Sequence, residues 1–437
     1  MSSTLPILGL GLALCLGGFS QTPPGPAPGQ PLTLTLDVAL ARARTYSQQV
    51  YSADIAARLA REDTVQAKAA LLPGVDWVNQ FLYTQPNGTP TGVFVASNGS
   101  HEYSNLAGIH GDLYAPVKRA DYRRAMAAEA AARARSEIAT RGLVAVVVQN
   151  YYAMVEGQRG VANAQQSLRE ARQFLDITQK QEAGGEVAHA DVVRSQILAE
   201  QRQRDVDNAQ LALDKAAIGF GVLLFADYGQ AFTVVDDLDK AAALPAFPAI
   251  QALAANNNPF LRAAQATVEQ QNYEIASARA ARLPALSFDY FFGIDANNYA
   301  LHDPNNFRNL GSSAQATLTV PVWTWGAARS KVRQAELKLE QAQKDLSLTQ
   351  RQLLASLSSF YREADAAALQ LASLRRSLEL STESLRLTLL RYQAGEVTAL
   401  EVSDAQSTLA QARIASDDGL VRYRMAVANL QTLTGVF

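Results

Sequence analysis

The hydrophobic pattern along most of this chain has a period of seven residues. From Val332 onward, apolar or small side chains recur at heptad spacing, shift phase once by four residues, and resume at Leu357. The same pattern runs through the first half of the chain and includes Val147, 210 residues before Leu357. Neither stretch contains a proline. The pattern predicts long helices in coiled-coil contact, with one stutter.

Each of these long helices is predicted to end at glycine. A helix from about residue 118 to residue 182 would be roughly 95 Å long at 1.5 Å per residue. Gly184-Gly185 ends it, Gly395 ends its counterpart, and each chain segment then returns as a second helix, ending near Phe225 or Leu433. We therefore expect two long antiparallel hairpins whose tips turn through a left-handed conformation at Gly185 and Gly395.

Between the helical segments the hydrophobic period changes to two. From Leu286 to Ile294 the even positions are apolar or aromatic, and the stretch from Val75 to Tyr83 is similar but less regular. Such alternation is typical of a strand with one apolar face. We expect β-hairpins at about 74–115 and 285–321. Their predicted return strands are Leu106–Tyr114 and Ala314–Val320, and their predicted polar loops are Thr84–Asn105 and Asp295–Ser312.

The spacing of prolines and glycines indicates an internal duplication. Pro284 follows Pro73 by 211 residues, and Gly395 follows Gly185 by 210. Similar segments at a fixed offset are the signature of a repeated architecture. The predicted domains are a first structural repeat at 35–225, a linker at 226–246 and a second structural repeat at 247–437.

The N-terminus has the pattern of an export signal. Residues 1–36 carry no charged side chain, and an apolar run ends at small residues before Gln21, which predicts a signal peptide at 1–20. A lipoprotein signal at Cys15 is disfavoured because Leu14 occupies the position where a small residue is expected. The proline- and glycine-rich segment 21–34 is predicted to be a spacer.

Composition and charge exclude several classes of function. The 437 residues are 48% hydrophobic and 18% charged with a formal net charge of -2, so neither a disordered chain nor a nucleic-acid-binding protein is expected. One cysteine and four scattered histidines offer no disulfide framework and no usual metal motif. No nucleophile–base set or phosphate-binding glycine loop is present, so we expect neither a cofactor nor an enzyme.

The four predicted strands have the length needed to cross a bilayer at a tilt, about 9–11 residues. Sheet edges cannot face lipid unpaired, and four strands cannot close a barrel. A membrane location therefore requires several copies of the chain. The alternative is a small sheet packed on helices. Trp323 and Trp325, after the fourth strand, would anchor a membrane interface or pack beside the linker.

Several motifs in order resemble those of the TolC-like outer-membrane efflux proteins. They are Asn258-Pro259-Phe-Leu261, Leu283-Pro284-Ala-Leu286-Ser, Val320-Pro321-Val-Trp-Thr-Trp-Gly326 and Arg391-Tyr-Gln-Ala-Gly395-Glu-Val-Thr-Ala-Leu-Glu401-Val-Ser-Asp404-Ala-Gln406. The resemblance covers essentially all of the chain after the signal peptide. It implies a mainly α fold with a membrane β-barrel portion, in which three chains build a twelve-stranded barrel continued by an α-helical barrel. The linker and both termini would form a mixed equatorial belt.

The same resemblance implies the function and the partners. A homotrimer in the outer membrane, extending into the periplasm and surrounded by lipid, would be a passive exit duct. A periplasmic adaptor protein and an inner-membrane pump of the resistance-nodulation or ABC type would serve it, for efflux of small molecules or for type I secretion. The alternative is a periplasmic coiled-coil adaptor or scaffold without a pore.

By motif position, the resemblance also assigns roles to residues at the tips. Glu401 and Asp404 resemble the acidic residues that constrict the family's periplasmic entrance, although acids at a helix start can also simply complement its dipole. Asp191 and Tyr392 resemble a latch between the hairpins. Val397 stands where the best-known members of the family have a basic residue near this turn, and Arg194 or Arg391 would have to supply the missing positive charge. The predicted turn and adaptor-contact residues are Gly184, Gly185, Glu186, Gly395, Glu396 and Val397.

Overall fold

The computed structural model of the chain describes residues 32–83, 101–227, 229–240 and 244–435. The predicted signal peptide and most of the predicted spacer lie outside these residues. The last three residues of the spacer correct the prediction, because Leu32–Leu34 form a strand, β1, that pairs in parallel with β4 at Phe232–Val234. The Leu-Thr-Leu alternation, which follows the last proline of the segment, allows this pairing.

Within the described residues, the order of elements repeats once along the chain. The first series is α1 Leu36–Tyr46, α2 Gln48–Ala69, β2 Gly74–Tyr83, β3 His101–Tyr114, α3 Pro116–Ala183 and α4 His189–Leu224. The second series is α5 Phe247–Asn257, α6 Pro259–Ala280, β5 Ala285–Ala296, β6 Leu310–Thr319, α7 Ala327–Gln393 and α8 Ala399–Thr434. The prediction of a mainly α fold is confirmed.

The two longest helices follow the heptad pattern. α3 has 68 residues and α7 has 67, and each returns through a 36-residue helix, α4 or α8. Pro116 occupies the first turn of α3, where its missing N–H has no intrahelical partner to lose. The buried face of α7 is made of heptad residues: Val332, Ala335, Ala342, Leu353, Leu357, Ala364, Ala367, Ser381 and Leu385.

The two β-hairpins join into one antiparallel sheet in the order β2-β3-β5-β6. The strands are longer than predicted, because β3 begins at His101 rather than Leu106 and β6 at Leu310 rather than Ala314. Polar residues that had been assigned to loops, such as Ser104 and Ser312, pair with residues of neighbouring strands. The edges of this sheet are β2 and β6.

The linker packs against the middle of the long helices. Its strand β4 and the 3-10 turn Leu238–Lys240 cover a core cluster in which Tyr151 and Phe220 are almost fully buried. The Tyr151 hydroxyl donates a 2.6 Å hydrogen bond to the Val235 carbonyl. Asp236, in the linker, accepts hydrogen bonds from Arg159 on α3. Partial burial alone would raise the pKa of Asp236. The hydrogen bonds from Arg159 and from the N–H of Leu238 outweigh burial, so the pKa of Asp236 is lowered.

Among the described residues, three extensive contacts and a smaller one between α4 and α8 connect the two repeats. β3 pairs with β5, α3 packs against α6 near the sheet, and α3 packs against α8 farther away. α4 packs mainly on α3, and α7 mainly on α8 and α6. None of the described helices contains an apolar stretch long enough to cross a bilayer.

Candidate functional site

The four-stranded sheet has two chemically different faces. Directly paired residues of neighbouring strands share a face, so the register assigns each side chain. One face carries Val75, Trp77, Phe81, Tyr83, Tyr103, Ala107, Ile109, Phe288, Tyr290, Phe292, Ile294, Ala314, Ala316 and Leu318. The opposite face carries Asp76, Gln80, Ser104, Asp289, Asp295, Ser313, Gln315 and Thr317. A sheet of this kind separates an apolar from a polar environment.

The polar face also carries four apolar side chains, Val78, Leu82, Leu106 and Phe291, and the apolar face also carries the polar Asn79, Asn105 and Ser312. Phe291 is the largest of these four apolar residues. Its position opposite Gly108 explains it, because a Cβ at Gly108 would lie 3.0 Å from a carbon of the Phe291 ring. The aromatic ring therefore lies over a glycine of the neighbouring strand. This packing covers the ring without making the face apolar as a whole.

Aromatic side chains cluster where β2 and β3 meet their connecting loop. The ring centroids of Phe81 and Tyr103 are 4.9 Å apart, those of Tyr83 and His101 are 5.2 Å apart, and Tyr299 approaches Tyr103 at 6.5 Å. At the opposite end of the sheet, the exposed Trp323 and Trp325 lie edge to face at 5.7 Å. Aromatic residues at both ends of an apolar face are typical of membrane–water interfaces.

The helical hairpins turn at their tips through one left-handed glycine each. Gly185 has a φ of 78° and Gly395 a φ of 76°, whereas Gly184 is right-handed. The N–H of Glu186 donates to the Gln181 carbonyl at 2.8 Å, and the N–H of Glu396 donates to the Arg391 carbonyl at 2.9 Å. The two tips therefore have the same hydrogen-bonded turn, as their matching sequences predict.

The structure places the predicted gate residues, Glu401 and Asp404, on the exposed side of α8 in its first two turns. The Glu401 carboxylate accepts hydrogen bonds from the N–H and hydroxyl of Thr398, at 3.2 and 3.3 Å, and so completes a capping box. Glu401 thus stabilises its own helix start, and this role is compatible with a role at a pore. Their part in a constriction remains a prediction.

The predicted latch residue Tyr392 is buried between the hairpins. It is 4% exposed, and its ring meets that of Phe174 on α3 edge to face at 5.2 Å. Its hydroxyl oxygen has no hydrogen-bond partner in the described part of the chain. The pKa of Tyr392 is raised, chiefly by burial. The Thr178 side chain opposes this shift, and the negative charge of Asp191 adds to it. The charge of Asp191 thus disfavours ionisation of Tyr392, and no hydrogen bond joins the two side chains.

Other predicted tip residues have local partners. Val397 packs against the cluster that contains Tyr392, so an apolar contact stands where a basic residue was expected. Arg391 pairs with Glu396 across its own turn at 3.4 Å. Glu186 and Glu396 are exposed. His189, at the start of α4, contacts Glu182 at 2.7 Å.

The strongest connection between the two hairpins involves residues that were not predicted. Arg413 on α8 donates hydrogen bonds of 2.7 and 3.0 Å to the two carboxylate oxygens of Glu170 on α3, and each side chain is 16% exposed. Gln406 donates to the carbonyl of Glu170 at 3.2 Å. Farther from the tip, Asp417 accepts hydrogen bonds from Arg159 and Asn163 at 3.0 and 2.7 Å. We call this set of contacts the ionic seam.

A cavity of about 620 Å³ lies beside the ionic seam, between α3, α4 and α8. Three of the carboxylates that line it are Glu156, Asp417 and Asp418. Burial raises the pKa of Glu156, and the charges of Asp418 and Asp417 add to this shift. Burial, followed by the charge of Asp417, raises the pKa of Asp418. These two carboxyl groups beside the seam therefore bind protons at higher pH than a free carboxyl group does.

Comparison with known proteins agrees with this geometry. Residues 251–436 match the family model described as outer membrane efflux protein. Nodulation protein T of Rhizobium leguminosarum bv. trifolii is 25% identical over 296 residues, which cover 65% of this chain and 61% of that protein. Outer membrane protein OprJ of Pseudomonas aeruginosa is 25% identical over 334 residues, which cover 73% of this chain and 66% of that protein. The chain thus matches less than two thirds of the length of either relative.

The fold is shared with solved channels. The crystal structure of the Campylobacter jejuni CmeC outer membrane channel matches with a TM-score of 0.76 at 16% identity, over 92% of this chain and 85% of that one. At this identity the match concerns the fold alone. Together, the family match, the relatives and the shared fold confirm the resemblance that the sequence motifs indicated.

Proposed function

Because this chain resembles the TolC-like outer-membrane efflux proteins in sequence and in fold, we propose that three copies form a channel-tunnel that acts as a passive exit duct across the outer membrane. Three four-stranded sheets would close a twelve-stranded barrel in the bilayer. The long hairpins would continue it as an α-helical barrel into the periplasm. A periplasmic adaptor and an inner-membrane pump of the resistance-nodulation or ABC type would deliver the cargo, in small-molecule efflux or in type I secretion.

The observation that carries this proposal is the sheet with one apolar face, one polar face and two open edges. The apolar face suits lipid, and the polar face suits a water-filled lumen. The edges, β2 and β6, leave backbone N–H and C=O groups that must find partners in a bilayer. A second copy supplies those partners if its β2 pairs with β6, in the same antiparallel arrangement as β3 and β5.

The tips would form the periplasmic gate. Glu401 and Asp404 lie three residues apart on the exposed side of α8, so three copies would bring six carboxylates towards one axis. Such a ring attracts cations and constricts the opening. Tyr392 and Asp191 would act as a latch between the hairpins, in which the packing of the Tyr392 ring against Phe174 is the observed contact. The turn residues around Gly185 and Gly395 would contact the adaptor.

Single-channel recording in planar bilayers tests the pore and the gate together. We expect the purified protein to give stepwise currents, and Glu401→Ala with Asp404→Ala to raise the conductance. The matched control is Glu379→Ala with Glu383→Ala, which removes the same charge from exposed positions of α7. Recovery of the protein in the soluble periplasmic fraction, with no current, would reject the channel. An unchanged current in the first variant alone would reject the gate assignment.

A further inference from the structure

The apolar surface of the sheet continues into the segment that joins β6 to α7. Val322, Trp323 and Trp325 in this segment are 87%, 73% and 89% exposed. Trp325 has a φ of 49°, in the left-handed region that a bulky residue rarely adopts. A strained backbone that holds an aromatic ring in solvent adds little to the stability of the chain. This segment therefore indicates a contact with a partner outside the chain.

Three arginines line a cavity next to this segment. Arg282 follows α6, Arg329 and Arg333 lie in the first two turns of α7, and the cavity between them has a volume of about 690 Å³. All three are exposed, and none of their guanidinium groups has a partner within the described residues. Glu336, which also lines the cavity, pairs with Arg279 at 3.2 Å. We call this site the arginine cavity, and it has an excess of three positive charges.

The first repeat has a matching pair of arginines. At the offset of 210 residues, Arg119 and Arg123 on α3 are the equivalents of Arg329 and Arg333 on α7. Their side chains are exposed and also lack a partner in the described part of the chain. Like charges four residues apart destabilise a helix, so each pair favours an anion from outside the chain. Unpaired cations thus occur in both repeats just below the sheet, where its apolar surface ends.

We infer that the arginine cavity binds the phosphate of an anionic phospholipid in the periplasmic leaflet of the outer membrane. This inference rests on the proposed membrane location of the sheet, and it adds a specific ligand to that location. The acyl chains of the lipid would lie along the apolar face of the sheet. Its headgroup would pass Trp323 and Trp325 and reach the guanidinium groups of Arg282, Arg329 and Arg333.

Charge and apolar surface together select a lipid. The planar guanidinium group of an arginine can donate two parallel hydrogen bonds to a phosphate. A free phosphate ion would satisfy the arginines but leave Trp323 and Trp325 uncovered, whereas a lipid also brings acyl chains to them. Near an anionic lipid surface each arginine contributes about a fivefold gain in affinity, so the three together contribute about a hundredfold gain.

Quenching of tryptophan fluorescence tests the site in nanodiscs of phosphatidylcholine. With Trp77→Phe, the two remaining tryptophans, Trp323 and Trp325, report on the neighbourhood of the arginine cavity. The probe is phosphatidylglycerol with a nitroxide near its headgroup, and the comparison lipid is phosphatidylcholine with the same nitroxide. We expect phosphatidylglycerol to quench at a mole fraction at least about tenfold lower, and we expect this difference to shrink between about 0.05 and 0.5 M NaCl.

Substitution of the three arginines removes the charge of the cavity and leaves the fold intact. Arg282→Gln with Arg329→Gln and Arg333→Gln should make both labelled lipids quench at the same mole fraction. Because these side chains are exposed and unpaired, their loss should leave the melting temperature of the protein nearly unchanged.

The matched control removes three exposed cations farther along the same helix, as Lys344→Gln with Arg351→Gln and Arg362→Gln. Lys344, the nearest of them, is 11 residues beyond Arg333, or about 16 Å along the helix. This distance exceeds the screening length of about 10 Å at 0.1 M ionic strength. The control variant should therefore keep the preference for phosphatidylglycerol.

Four results would overturn the inference. Equal quenching by the two lipids before any arginine is replaced would mean that the cavity does not select an anionic lipid. Loss of the preference in the control variant would mean that overall charge, and not the cavity, attracts the lipid. Absence of quenching by either lipid would mean that the cavity does not face the bilayer. Displacement of the labelled lipid by inorganic phosphate, but not by chloride at the same ionic strength, would mean that the cavity binds a free anion.

These outcomes are separate from those for the proposed function. A protein that gives no current but prefers phosphatidylglycerol through the three arginines would reject the pore and keep the lipid site. A protein that conducts but shows no such preference would keep the pore and reject the lipid site.

Discussion

The ion pair between Glu170 and Arg413 should hold the two hairpins of a chain together, and removal of Arg413 measures its contribution. Arg413→Met would leave the Glu170 carboxylate, 16% exposed, with Gln166 as its remaining side-chain donor, at 2.9 Å. Breaking a buried pair by removing one partner costs about 3–5 kcal/mol. The residual exposure and the Gln166 bond reduce this to about 2–3 kcal/mol. The seam should then open locally about 30- to 150-fold more often.

Hydrogen–deuterium exchange of the assembled protein measures that opening directly. Backbone amides of α8 between 406 and 417 should exchange faster by the same factor in Arg413→Met. Arg422→Met is the matched control, because Arg422 lies on the same helix and pairs with Glu363 at the surface. Glu170→Gln with Arg413→Met should recover part of the protection, since it removes the unpaired charge.

Two results would refute this reasoning about the ionic seam. Unchanged exchange in Arg413→Met would mean that apolar packing alone holds α8 on α3. An equal acceleration in Arg422→Met would mean that the effect comes from the loss of a cation on α8 rather than from the pair.

Three further predictions concern the tips and the acidic cavity. Tyr392→Phe should leave single-channel conductance unchanged and Tyr392→Ala should raise it, because the side chain acts by packing rather than by a hydrogen bond. A change of conductance in Tyr392→Phe would mean that the hydroxyl group contributes to the latch. Gly185→Ala or Gly395→Ala should destabilise its tip by about 1–2 kcal/mol from backbone strain alone, measured as faster local amide exchange. Burial raises the pKa of Glu156 and Asp418. At a pH between the pKa of the unfolded chain and that of the folded chain, the folded chain therefore binds more protons, and its stability falls as the pH rises. Glu156→Gln with Asp418→Asn should flatten this fall in melting temperature above about pH 4, the ordinary pKa of a carboxyl group; an unchanged slope would contradict it.

The sequence was most informative about elements whose hydrophobic period is regular. Two long hairpins and their left-handed tip glycines follow from heptads without proline and from Gly185 and Gly395, because a continuous apolar stripe and a helix stop are local properties. Strand ends were less accurate. His101 to Asn105 are polar residues next to a polar loop, and only their pairing with β2 and β5 makes them strand. Pairing of this kind is not a local property, so it could not be predicted from the segment itself.

At the tips, the sequence identified positions but not contacts. The resemblance placed Tyr392 and Asp191 in a latch, whereas in the structure no hydrogen bond joins them and Phe174 provides the packing of the Tyr392 ring. Phe174 follows the heptad pattern of α3 and could have been included on that ground. Val397 was expected to weaken the latch, yet it adds an apolar contact to the same cluster.

Glu170 and Arg413 were missed because they lie 243 residues apart, although the duplication contains a signal for them. A helix position whose equivalent changes from charged to apolar is under different constraints in the two repeats. Glu170 aligns with Leu380 and Arg159 with Leu369, and Arg413 aligns with the uncharged Gln203. Within the chain, Glu170, Arg159 and Arg413 contact the other repeat. Gln203 instead accepts a hydrogen bond from Arg172 of its own repeat, so the aligned positions have different neighbours and different constraints.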